Sequence, residues 1–571
     1  VSAAGEGSAA PPAPARAAPG RSARAARWPW LALALAAIVA GAFLRAYQLR
    51  TQMLVDDEWH AVRMLIRAGM GEIATNFGLA DYCIPLTLYY RWLYEHAALD
   101  EWAMHLPLLL AGAALLLAAP RLLRDVAPLP TRAIWTGLLA LSPSLVYFSR
   151  TARPYALVAL LGFAALLAFR AWRRGRGIGA AAVYVGATFL AGWAHLLSLA
   201  FTLWPFAHYG VGALRGLASA QARRPAARAL AAMALLGLAV AAPLAAALLP
   251  PLVNNWGAMS GKAGVDSVSA ESLYRTLLMQ LGTGHAWVAL PLAVLLGYGC
   301  VRLWRRDADF VRLMLGATLA GTAAICLARP AWIQHAPVLV RYAVPILPFL
   351  LLAVAEGAAG LLARVRPPAA GAALAGLGLA ALFAGGPMPG WYYAPNQFMD
   401  HAVFQFDYDP AENPYATLLE LGPVPAFYRE LARRPPGSVT LIETPRRAQS
   451  NFMPDPWYQR IHRQNVKYAL ASPVCGTGDW DEYPYAADGV RLRRMGKLAD
   501  ILDGAGYGAD YLVMRLHPWT LPPGKDFPWP VPWPDMPACV ERVAARLGAP
   551  VFRDGQIVVF ALHQAEPPRR H

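Results

Sequence analysis

Charged side chains are scarce in this sequence. Of 571 residues, 15% are Asp, Glu, Lys or Arg, 57% are hydrophobic, and the mean hydropathy is positive at +0.35. A soluble domain carries about 25% charged residues, so the deficit excludes an ordinary soluble globule and makes this a membrane protein. Acids are scarcer than bases, 35 against 51, for a formal net charge of +16. That surplus does not describe a nucleic-acid binder, because it is not spread along the chain. Residues 387–571 hold 19 basic and 20 acidic side chains, so the excess lies in residues 1–386, the apolar part, where basic residues sort to one side of a bilayer. Cysteine is also rare, five in all, with no metal-ligand spacing. Cys83, Cys300 and Cys326 lie in the apolar part; Cys475 and Cys539 share the C-terminal region, where an oxidising compartment would permit a bond between them. There is no internal repeat and no long coiled coil. GAGYG at 504–508 follows a helix end rather than a strand, so it reads as a C-cap and turn, not a dinucleotide loop.

What is present is a series of apolar runs of membrane-crossing length, which takes about 17 to 25 residues. They fall near 28–44, 104–120, 133–148, 155–171, 180–194, 196–213, 229–250, 286–303, 311–328, 342–361 and 369–386, and predict eleven spans. Five arginine-rich loops, around Arg121–Arg132, Arg170–Arg176, Arg215–Arg228, Arg302–Arg312 and Arg364–Arg366, share a side with Arg21, Arg24 and Arg27, which the positive-inside rule makes the cytoplasm. Residues 1–27 read as a disordered cytoplasmic tail, and 28–44 as an uncleaved first span rather than a signal peptide. The segment 45–103, rich in Trp, Tyr and charge, suits helices lying in the interface. Residues 28–386 form the transmembrane domain. From 387 the chain reads as a periplasmic α/β domain, with strands at 438–443 and 509–516, a helix at CVERVAARLG and a hairpin turning at Asp554-Gly555.

Two polar clusters interrupt the apolar pattern on the outer side. LVDDEWHAVRML places Asp56, Asp57 and Glu58 after the first span. A solvated loop accounts for three acids equally simply, but Trp59, His60, Met64 and Leu65 continue as an amphipathic helix, which puts the acids at its N-terminus and at the membrane face. In SPSLVYFSRTARPYALV, Arg150 and Arg153 stand at the junction of two spans. They either snorkel to headgroups or clamp a phosphate, whose oxygens match the guanidinium fork. Lys262, Arg329 and Arg341 bring more positive charge to the same depth. His195 and His335 read as structural histidines of the interface, and Glu356 near the inner end of a span either reaches Arg364 or water or has a function of its own.

The ordered combination of first span, DDEWH, IPLTLYYRWLYEHAALDEWAMHLPLLLAGAALLLA, LALSPSLVYFSRTARPYALVALL and LVRYAVPILPFLLL resembles the family 39 and protein O-mannosyltransferase-like membrane glycosyltransferases, which include the lipid A aminoarabinose transferases. The likeness covers roughly residues 28–360. It implies a GT-C fold and transfer of a sugar from a polyprenyl-phosphate donor, with inversion, to an acceptor on the periplasmic side of the inner membrane. The family's Asp-Glu pair matches Asp57-Glu58, which makes Asp57 the implied general base and Glu58 its orienting neighbour. The Ser-Arg-x-x-Arg-Pro-Tyr pattern matches Ser149 to Tyr155 throughout, whereas Ile84 to Tyr90 lacks the family's first proline and carries inserted residues. Candidate substrate-binding residues are Asp56, His60, Arg150, Arg153, Tyr155, Lys262, Arg341 and Tyr342. A lipid phosphate is a good leaving group, so no cofactor is required, although the three acids suit a divalent metal. Membrane lipid is an expected partner and nucleic acid is not. The alternative is a transporter or flippase for a lipid-linked or anionic solute, although neither paired hydropathy halves nor broken midplane helices are evident.

Overall fold

The structure is a computed structural model that describes residues 21–47, 49, 58, 61, 65, 68–80, 82–96, 101–388, 423–444, 455–467, 509–517 and 535–562. Asp56, Asp57, His60, Cys475 and the 504–508 turn lie outside the described residues.

Among the described residues, eight helices are long and apolar enough to cross a membrane: Ala26–Ala46, Trp102–Leu122, Tyr155–Arg173, Gly177–Ala194, Arg223–Asn254, Ala286–Arg306, Ala308–Ala328 and Val344–Leu362. The other three expected runs are helical but shorter. Residues 133–148 divide into Leu129–Leu141 and Pro143–Ser149, and 196–213 into Ser198–Thr202 and Trp204–Leu217. In each, a proline stands in the first turn of the second piece, Pro143 or Pro205, where its missing N–H and its ring oppose continuation of the preceding helix. Pro368–Ala384 reaches only 17 residues.

Three of the arginine-rich loops, 121–132, 170–176 and 302–312, meet at one end of this bundle. Arg176 pairs with Asp125 at 2.5 Å, Arg170 and Arg174 both pair with Asp307, and Arg306 donates to the Val126 carbonyl at 3.3 Å. Asp307 also caps the Ala308–Ala328 helix by accepting from Phe310 N at 3.0 Å. Glu356, fully buried, is the centre of this end. Its carboxylate accepts from Arg302 Nε at 3.0 Å, Arg306 at 2.9 and 3.1 Å and Thr131 Oγ1 at 2.7 Å, and so bolts three helices together. The partners are thus Arg302 and Arg306 rather than Arg364. Small residues let the same helices approach: a Cβ on Gly299 would lie 1.8 Å from the Ala353 carbonyl oxygen, and one on Gly357 would lie 2.1 Å from that of Leu295.

The C-terminal region is a small α/β unit, as its strand pattern predicts. Five strands run in the order β2-β1-β3-β5-β4, with β1 (Thr440–Thr444) parallel to β2 (Asn465–Lys467) and β3 (Tyr511–Arg515). The closing hairpin, β4 (Phe552–Arg553) and β5 (Ile557–Ala561), is antiparallel. Its turn is fixed by Asp554, whose Oδ1 accepts from the Gln556 and Ile557 amides at 2.7 and 2.8 Å. Helix Met536–Leu547, capped by Asp535, buries Cys539, which is disulfide-bonded.

Two measurements check this architecture. Glu356→Ala leaves two arginines without their carboxylate, which costs on the order of 3 kcal/mol when a buried pair is broken. It should lower the detergent melting temperature more than Glu356→Gln, and equal melting of both with wild type would contradict the bolt. In the C-terminal domain, burial pushes the His462 imidazole down to about 3. Between pH 6.5 and 3 the unfolded chain then binds a proton that the folded domain does not, so stability falls as pH drops. Protection factors of the β1 and β3 amides, exchange corrected for its intrinsic rate at each pH, should fall from pH 7 to 4, and less so in His462→Gln.

Candidate active site

The end opposite the arginine loops is organised by a broken helix. Pro143 has no N–H to give the Leu139 carbonyl, and it forces Ser142 into an extended conformation, ψ 116°. The exposed carbonyls are met by Arg45 from the first helix, which donates to Leu139 O at 2.9 Å and Ala140 O at 3.1 Å. The favour is returned seven residues after the break. Arg150 NH1 donates to Leu44 O at 2.9 Å and Tyr47 O at 2.6 Å, at the end of the first helix. Both guanidinium groups are buried. One nitrogen of Arg150, a residue expected to clamp phosphate, is thus engaged by two backbone carbonyls.

This double cap fixes the turn that follows. The N–H of Ala152 donates to Glu58 Oε1 at 2.5 Å, and its carbonyl accepts from Tyr90 OH at 3.1 Å. His105 Nε2 stands 2.8 Å from the same Glu58 oxygen. Glu58 is 1% exposed and His105 fully buried. The Trp102–Leu122 helix comes this close because of Gly112, where a Cβ would lie 2.0 Å from Ser149 Oγ.

From that turn Arg153 enters a cluster built by three distant segments. Tyr155 opens one helix, His195 ends another in extended conformation, and Arg341 and Tyr342 close the Ala336–Tyr342 helix. The His195 ring lies 6.1 Å from that of Tyr155 and 5.3 Å from that of Tyr342, between centroids. Arg153 and Arg341 both act electrostatically on His195, and Arg153 also acts on Tyr90, beside Glu58. The Ala336–Tyr342 helix is held at both ends, by Thr276 on Ala336 O and by Gln280 on Ala343 O, each at 3.4 Å. Two cations thus bear on a ring that has two further rings beside it, and guanidinium groups are the kind of donor that suits an anion.

Of the residues that the sequence singles out, Tyr155 and Tyr342 flank His195, Arg153 and Arg341 act on it, and Glu58 is bonded to Ala152, the chain neighbour of Arg153. Lys262 stands over the Tyr82 ring at 3.8 Å, and Arg329 donates to the Asp266 carbonyl at 3.2 Å. His335 stacks on Trp332, in keeping with an interfacial role, whereas His195 belongs to the cluster. Tyr90 and His105 escape a sequence reading. A histidine within EWAMHLPLLL is the available signal, since burial there demands a partner. Among the described residues no group of three His, Cys, Asp or Glu could hold a metal.

No protein-family model matches the chain, and no curated protein matches it in sequence. Solved structures do. ArnT from Cupriavidus metallidurans bound to undecaprenyl phosphate is similar over 94% of this chain and 98% of its own, at 13% identity and a TM-score of 0.44; its apo state covers the same shares at 14% and 0.45. The Archaeoglobus fulgidus oligosaccharyltransferase in the apo form is similar over 85% of this chain and 69% of its own, at 12% and 0.41. The chemistry has to be read from the side chains.

The two arginines of the SRTAR turn should separate by substitution. Arg150→Ala should lower the melting temperature, because it uncaps the first helix. Arg153→Ala should melt like wild type while binding a polyprenyl phosphate about 10- to 150-fold more weakly, the effect of losing a charge-assisted contact of about 1.5 to 3 kcal/mol. Identical behaviour of the two variants in both assays would contradict this division.

Proposed function

We propose that this chain is a membrane glycosyltransferase that moves a sugar from a polyprenyl-phosphate donor to an acceptor at the periplasmic face of the inner membrane, with inversion. One observation carries the reading: Arg153 and Arg341, 188 residues apart in the chain, converge with Tyr155, His195 and Tyr342 beside Glu58. The side of the membrane follows from the charge pattern. Arginine-rich loops mark the cytoplasm, so the opposite end of the bundle, with this cluster, faces the periplasm. A disulfide at Cys539 agrees with an oxidising compartment for the C-terminal domain.

The roles follow from charge. Arg153 and Arg341 hold the donor phosphate, and their hold strengthens as negative charge grows on the departing phosphate, which lowers the barrier. The three rings wall the space beside it. Asp57 accepts the proton of the acceptor hydroxyl as that oxygen attacks the anomeric carbon from the face opposite the phosphate, and Glu58 fixes the loop that carries Asp57. The reaction needs no redox step.

Mass spectrometry of glycolipids and glycoproteins from cells with and without the gene tests the function itself. A species lighter by one sugar should accumulate in its absence, and unchanged glycans with altered solute uptake would favour a transporter instead. Within the acidic loop, Asp57→Asn should leave donor binding intact and lower turnover by about 10²-fold, the usual loss on removing a general base. Asp56→Asn should be mild and Glu58→Gln intermediate, so equal losses at all three positions would contradict the assignment.

A further inference from the structure

Glu58 and His105 form a buried pair that the proposed chemistry does not itself use. Glu58 supplies the acceptor, so His105 donates through Nε2, and the opposite ring nitrogen, Nδ1, is buried with no hydrogen-bond partner among the described residues. A histidine so placed has one polar contact, and that contact is the Glu58 carboxylate. The same carboxylate oxygen takes the Ala152 N–H, and Tyr90 takes the Ala152 carbonyl, so the peptide units preceding Arg153 are gripped from both sides. The grip joins Glu58 to the Ile84–His96 helix, the Glu101–Leu122 helix and the SRTAR turn.

We infer that His105 is a positioning residue, which orients Glu58 against the turn that leads into Arg153. The inference rests on the function proposed above. Glu58 is joined to Asp57 by one peptide bond, and consecutive Cα atoms lie about 3.8 Å apart, so fixing Glu58 limits the reach of Asp57. Without the Nε2–H the carboxylate keeps the Ala152 amide and loses one of the contacts that orient it. A displacement on the order of 1 Å at a reacting group is enough to cost about 100-fold in rate. The Ala152 carbonyl keeps its partner Tyr90 in that case, so the turn before Arg153 is still held and phosphate binding persists while turnover falls.

The test uses the full chain in nanodiscs with undecaprenyl phosphate as the binding probe, and the gene-dependent glycan in cells, normalised to folded protein, as the measure of turnover. His105→Leu should lower turnover at least 10-fold with probe affinity changed less than 2-fold, and His105→Gln, whose amide N–H can reach Glu58, should recover most of it. In a double-mutant cycle His105→Leu should add little to Glu58→Ala, because the contact it breaks is already absent there. Wild-type turnover in His105→Leu would overturn the inference. So would a joint fall in melting temperature, probe affinity and turnover that His105→Gln does not restore, since that is a purely structural role. A wild-type chain that neither binds the probe nor changes any glycan would instead overturn the glycosyltransferase reading, and the positioning role with it.

Discussion

A carbonyl without a donor sets the rest of the structure in order. Leu139 offers an oxygen that Pro143 cannot satisfy, in a place where water is not at hand, and an unsatisfied buried backbone group costs about 1 to 3 kcal/mol. Arg45 fills the vacancy from another helix, and Arg150 does the same for the end of the helix that carries Arg45. The two arginines are buried, yet each faces carbonyl oxygens, whose partial negative charge offsets part of the desolvation cost. From this reciprocal cap the chain emerges as a turn with a defined N–H and a defined carbonyl, and everything at the site is hung on those two atoms.

The two ends of the bundle use charge in opposite ways. At the arginine-rich end, carboxylates answer the cations: Asp125, Asp307 and Glu356 each hold one or more arginines, and the result is a closed lattice between loops. At the other end Arg153 and Arg341 both bear on the ring of His195, with Tyr155 and Tyr342 beside it. The first arrangement makes a scaffold. The second brings two cations to bear on one ring, and the proposed phosphate site rests on that arrangement.

Much of this was legible in the sequence, for identifiable reasons. Apolar runs located the helices because the hydrocarbon demands length, and the strands of the C-terminal sheet showed through β-branched residues and the Asp554-Gly555 turn. Pro143 and Pro205 were visible as residues but not as breaks, since hydropathy averages over them. Arg150 and Arg153 are equivalent in sequence; they divide into cap and cluster member only through the position of Leu44, a hundred residues away. His105 and Tyr90 were hidden for the same reason, because each owes its meaning to one partner distant in the chain.

The central claim is that the Arg153 and Arg341 cluster is where a lipid-borne phosphate sits. A cryo-electron microscopy structure of the chain in nanodiscs with a polyprenyl phosphate tests it most directly. The account predicts phosphate density within hydrogen-bonding distance of both guanidinium groups, flanked by Tyr155, His195 and Tyr342, with Glu58 still on Ala152. Phosphate density among the arginine loops around Asp307 and Glu356, with the Arg153 cluster empty at saturating lipid, would contradict it.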